Sequence, residues 1–92
     1  MLYHILCKDK PGSLQIRLAN REDHLAVVKA LGDRLFAAGP LLDAHDEMIG
    51  SVLIIDFDND AVAQTFCEHD PYAQAGLFEH VTVTRWRKTL PA

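Results

Sequence analysis

The chain has 92 residues, 49% hydrophobic and 24% charged, with nine basic and thirteen acidic residues for a formal net charge of −4. That make-up fits one small globular domain spanning 1–92, not a disordered chain, and it lacks the basic field that would favour nucleic acid as a partner. Two cysteines, Cys7 and Cys67, form neither a disulfide framework nor metal-ligand spacing, so both are expected as small buried hydrophobes.

The opening "MLYHILCKDK" shows no basic leader and no cleavage-site pattern, so no signal peptide is expected. No apolar run reaches membrane-spanning length. A cytoplasmic protein with no membrane partner is the expectation. Leu2–Lys8 alternates as a strand, with Tyr3, Ile5 and Cys7 on one face and Leu2, His4 and Leu6 on the other. "DKPG" (Asp9–Gly12) is a turn. A helix follows with two candidate starts. Ser13 could cap one that begins at Leu14, and Asn20 could cap another, with Asp23 in a weak capping-box position. Its apolar stripe carries His24, Val28, Leu31 and Leu35, and "AAGP" (Ala37–Pro40) is expected to stop it.

Leu41–Gly50 reads as a hairpin around the polar turn Asp43–Glu47, and Ser51–Asp58 as the clearest strand in the chain. Asn59–His69 is a short helix, Pro71–Gly76 a further turn or two ending at glycine, and Leu77–Lys88 the last strand. The order β-α-β-β-α-β predicts an α+β, ferredoxin-like fold: a four-stranded antiparallel sheet with helices on one face. In Ser51–Asp58, Val52 and Ile54 point one way while Leu53, Ile55 and Phe57 point the other. Both faces are apolar, whereas a strand wet on one side should alternate with polar residues. Two helices cover only one face. A homodimer packed sheet on sheet is therefore expected, and a small domain needs the added burial.

Asp70-Pro71 is an N-cap followed by proline at the first helical position, so propensity makes Asp70 a cap. Its carboxylate has lone pairs to spare and could also orient a histidine. His24, in register with Val28, is either a core-edge histidine or a general base. Arg21 shares its helix face and is either a solvated cation or an anchor for an anionic ligand. Gly39, Pro40 and Gly50 suit turn chemistry, or backbone approaching a ligand, with Ser51 offering a hydroxyl. His4 and His80 lie on neighbouring strands, but two ligands are too few and no metal is expected. There is no Gly-rich phosphate loop and no G-x-S-x-G elbow, and no cofactor is expected. "RWRK" (Arg85–Lys88) reads as a solubilising strand end.

Together "MLYHILCKDKPGSLQIRLANREDHL", "AAGPLLD", "GSVLIIDFD" and "DPYAQAGLFEHVTVTRWRK" resemble the YciI-like family over nearly the whole chain. The resemblance implies a ferredoxin-like subunit of a dimeric α+β barrel. It implies a catalytic dyad of His24, from the R-x-x-H pair, and Asp70, from the DPY run. It implies that Arg21 and Ser51 border a substrate cavity, and Gly39, Pro40 and Tyr72 are the further candidate binding residues. A dehydrochlorinase of a chlorinated hydroxyhydroquinone resembles this family, so small phenolic, enolic or anionic substrates are implied. The expected function is His/Asp-assisted proton transfer of the lyase or isomerase kind. The alternatives are a non-catalytic small-molecule or interaction module using the same pocket and, by analogy of fold alone, a monooxygenase.

Overall fold

A computed structural model describes all 92 residues. The elements run β1 (Leu2–Asp9), α1 (Leu14–Lys29), a 3₁₀ turn (Gly32–Arg34), β2 (Leu35–Leu42), β3 (Met48–Asp56), α2 (Asp60–His69), α3 (Pro71–Gln74) and β4 (Phe78–Trp86). The four strands form one antiparallel sheet in the order β2-β3-β1-β4. This is the expected ferredoxin-like α+β arrangement, with β1 and β3 central. No helix is long and apolar enough to cross a membrane.

The alternation read from β1 decides what lies inside. Tyr3, Ile5 and Cys7 are buried, and their register partners Ile55 and Leu53 on β3 are buried with them. Val28 of α1 and Ala63 of α2 close the same core, which therefore lies between the helices and one face of the sheet. Fully burying an aliphatic side chain of this kind is worth about 1.5–3 kcal/mol. Across the sheet, Leu2, His4, Leu6, Val52 and Ile54 are only half-buried. At one end of that open face, Phe36 and Trp86 meet edge-on with ring centres 6.0 Å apart, although they sit on opposite edge strands.

The helix boundaries decide between the two candidate starts and correct the expected end. α1 starts at Leu14, not after Asn20, whose side chain instead donates back to the Ile16 carbonyl at 2.8 Å inside the helix. Ser13 occupies the cap position without a side-chain bond. At the other end the helix stops before Gly32, which has φ +58°. Leu35–Pro40 is therefore strand, not helix and stop signal. Pro40 pairs with Ser51 in β2, a sheet edge, where a missing N–H on the outer side costs no ladder bond. The expected hairpin forms. Asp43 holds its turn by accepting from the main-chain N–H groups of His45 (2.7 Å) and Glu47 (3.1 Å).

Gly50 is buried in β3, and a Cβ there would collide with the Cys7 carbonyl oxygen. Backbone cannot move aside as a side chain can. Gly50→Ala is expected to destabilise the fold by about 1–3 kcal/mol, read as a lower urea midpoint with an unchanged slope. A midpoint equal to that of the unmodified chain would show that β1 and β3 can separate locally without cost.

Candidate active site

Asp70 sits at the joint between α2 and α3 with φ −58° and ψ 131°, so the chain turns there instead of continuing as helix. The following proline favours that break. Its carboxylate then caps α3, Oδ1 accepting from the Tyr72 main-chain N–H at 2.9 Å. The same carboxylate faces α1. His24 Nδ1 lies 2.9 Å from Oδ1 and 3.0 Å from Oδ2, and both residues are buried. A carboxylate only accepts, so Nδ1 carries the proton and donates it to Asp70. The lone pair is left on Nε2. That atom makes no hydrogen bond within the chain, and no buried side-chain nitrogen or oxygen is without a partner. Nε2 therefore meets the cavity that His24 lines.

This cavity, about 200 Å³, lies between α1, the β2–β3 ribbon and α3. Residues a turn or two apart on α1 supply one wall: Arg17, Arg21, His24 and Val28. Gly39 and Pro40 border it as strand backbone, Ser51 and Leu53 form its floor, and Tyr72 closes the far side. Tyr72 stacks on His24 with ring centres 4.0 Å apart and planes 16° apart, which restrains the imidazole as packing rather than as a hydrogen bond. Burial pushes the Tyr72 phenol above its ordinary range, against the opposing pull of Arg17 and Arg21, so it stays protonated at neutral pH.

All seven residues singled out from the sequence, His24, Asp70, Arg21, Ser51, Gly39, Pro40 and Tyr72, meet at or beside this cavity. Arg17 was missed. It is 2% exposed, with Nε donating to Asp9 Oδ2 at 2.7 Å and Nη2 to Asp9 Oδ1 at 2.8 Å and to Ser51 Oγ at 3.0 Å. Burial alone would pull the guanidinium down, but the bonds and charge of Asp9, together with the Tyr72 hydroxyl, outweigh it and hold the charge firmly. The signal was its position two turns before His24 on one helix face. The alternative start at Asn20 hid it by leaving Arg17 outside the helix.

The remaining candidates lie elsewhere. His69 is exposed and bonds the Thr65 carbonyl, and His80 contacts only Glu79, at 3.5 Å. His4 pairs in register with Thr84, not His80. No three His, Cys, Asp or Glu side chains converge on one point. Burial pushes the thiols of Cys7 and Cys67 up to about 12 and about 11, which leaves them protonated and unreactive at neutral pH.

The sequence matches the YCII-related domain over residues 1–87. The chain belongs to this family. Protein YciI of Escherichia coli O6:H1 (strain CFT073) is 41% identical over 96 residues, covering 96% of this chain and 98% of that protein. Among solved structures, the family member is similar to 5-chloro-2-hydroxyhydroquinone dehydrochlorinase (TftG) of Burkholderia phenoliruptrix AC1100, in complex with 2,5-dihydroxybenzoquinone. That match has a TM-score of 0.92 at 38% identity, over 97% of this chain and 96% of the other. An antibiotic biosynthesis monooxygenase superposes with a TM-score of 0.55 at 15% identity, over 96% of this chain and all of that one, a likeness of fold alone.

Proposed function

We infer that this YCII-related protein is an enzyme that moves a proton on a small phenolic, enolic or anionic substrate, as a lyase or isomerase. The observation that carries this is the orientation of His24: Nδ1 is tied to both oxygens of Asp70, and Nε2 opens on the cavity. A hydrogen bond of that kind sets the tautomer and steadies the imidazolium that forms when the base takes a proton. The likeness to a dehydrochlorinase at 38% identity supports the same chemistry.

In this reading Nε2 removes the proton of a ring hydroxyl. Returned to the ring carbon that bears the leaving group, that proton gives the keto tautomer. Loss of a second hydroxyl proton then sends an electron pair through the ring, and a leaving group such as chloride departs with its bonding pair, leaving a hydroxyquinone. The sum is loss of HX, with no change in oxidation state and no call on a cofactor. Arg21, on the rim without a carboxylate partner, draws in negative charge, and Ser51 orients the ring. A panel of chlorinated and unchlorinated hydroxyhydroquinones, followed by chloride release, tests this. Release that depends on His24 supports it. Binding without release favours a non-catalytic module on the same pocket.

The enzyme acts in this reading as a homodimer. A second copy laid against Leu6, Val52 and Ile54 would cover the apolar face that the helices leave open, giving the two-chain α+β barrel. Light scattering at micromolar concentration is expected to return twice the mass of the 10.3 kDa chain. A stable monomer under those conditions rejects the dimer.

A further inference from the structure

Arg17 has the burial of a structural strut but does not bond like one. A buried arginine that only tied α1 to the sheet would have all its N–H groups satisfied within the chain. Here Nε and Nη2 are held by Asp9 and Ser51, and the one further group the guanidinium meets is the Tyr72 hydroxyl. Arg17 and Tyr72 both line the cavity, and Nη1 carries two N–H groups, so one is left to face it after the Tyr72 hydroxyl is met. Tyr72 is 1% exposed and lines the same cavity, and its hydroxyl meets only the Arg17 guanidinium, from which it accepts, so its own hydrogen is left to donate. The Arg17 guanidinium carbon stands 4.6 Å over the Tyr72 ring centre, so the two groups are held together. Arg21 adds a second guanidinium at the rim. His24 is two turns further along α1, about 10 Å by helical rise. Tyr72 touches both side chains, so the cavity sets donors and positive charge beside the proton acceptor of His24.

We propose that Arg17 Nη1, the Tyr72 hydroxyl and Arg21 form an oxyanion-binding corner that selects single-ring ligands carrying an ionised oxygen: a phenolate, an enolate or a carboxylate. Asp9 pins the guanidinium so that its Nη1 edge faces the ligand, and it lowers the cost of holding a cation in the interior. The size agrees, since about 200 Å³ falls below the roughly 300–1,000 Å³ that drug-sized ligands occupy. The corner rests on the proton-transfer reading for which ring position meets His24, but not for binding the anion.

Calorimetric titration with two probes of one ring size tests the corner: 2,5-dihydroxybenzoquinone, which is acidic, and hydroquinone, which is neutral near pH 7. The unmodified protein is expected to prefer the acidic probe by about tenfold or more, the scale of one charge-assisted hydrogen bond. The double variant Asp9→Asn/Arg17→Met removes the cation without leaving an unpaired carboxylate, and is expected to lose that preference. Tyr72→Phe removes one donor and is expected to lose part of it. No preference in the unmodified protein, or a preference undiminished in both folded variants, overturns the corner. An intact preference with no chloride release from the hydroxyhydroquinone panel keeps the corner and rejects the enzyme reading. Chloride release without the preference does the reverse.

Discussion

His24→Gln is expected to slow turnover of the competent substrate by about 10²–10⁴-fold, the usual contribution of a positioned base. Asp70 separates into two roles because one carboxylate meets both His24 Nδ1 and the Tyr72 N–H. Asp70→Asn keeps an oxygen for the α3 cap. Its amide, however, donates where the carboxylate accepted, which favours the wrong imidazole tautomer and takes the lone pair from Nε2. The same exchange in a Ser-His-Asp triad costs about 10⁴-fold in kcat. Asp70→Ser keeps a good capping group but is too short to orient the ring, so it should be stable and slow. Asp70→Ala should be slow and also lose about 0.5–2 kcal/mol with the cap. Kinetics with urea unfolding on the four variants resolve these outcomes. Wild-type rates in both His24→Gln and Asp70→Asn would reject the dyad.

Arg17→Met is expected to cost about 3–5 kcal/mol, the largest stability loss of any single change considered, because it strands Asp9. The Arg17 and Asp9 side chains are only 3% and 5% exposed, so the stranded carboxylate cannot recover its water. The double variant Asp9→Asn/Arg17→Met leaves no buried charge and should regain most of that loss, since desolvating an ion pair offsets much of its attraction. Urea midpoints of the two single variants and the double one close the cycle. Additive losses would mean that the 2.7 Å and 2.8 Å bonds carry no coupling and that the pair is mobile in solution. Exposed ion pairs such as Arg34–Asp58 should show no comparable effect.

The elements differ in how far they were readable. Period-two alternation in β1 and β3, the short helix at Asn59–His69 and the Asp70-Pro71 start of α3 are short-range features, and each appears in the structure, the helix with Asn59 as its cap. The end of α1 was misread because Leu31 and Leu35 continue the helical spacing. Both do reach the core, Leu31 from beyond the helix and Leu35 from β2, so hydrophobic period alone could not separate the two cases. Gly32, with its positive φ, was the local stop signal. Pro40, read as part of a helix stop, lies inside β2, which its place at the sheet edge permits.

The site divides in the same way. That Asp70 caps a helix follows from its neighbours, since capping geometry spans only a few residues. That it faces His24, 46 residues away, came only by resemblance to a family, and the packing of α1 against α3 supplies the distance. Arg17 marks the clearest boundary. Residue type and spacing make it an ordinary surface cation on a helix. Its Nη1 reaches the cavity only because β1 ends with Asp9 beneath α1 and β3 brings Ser51 alongside. Local propensity and periodicity are written in adjacent residues and act before the chain is compact. The partners of a buried charge are chosen when separate elements pack and exclude water, and no window of the sequence contains them all.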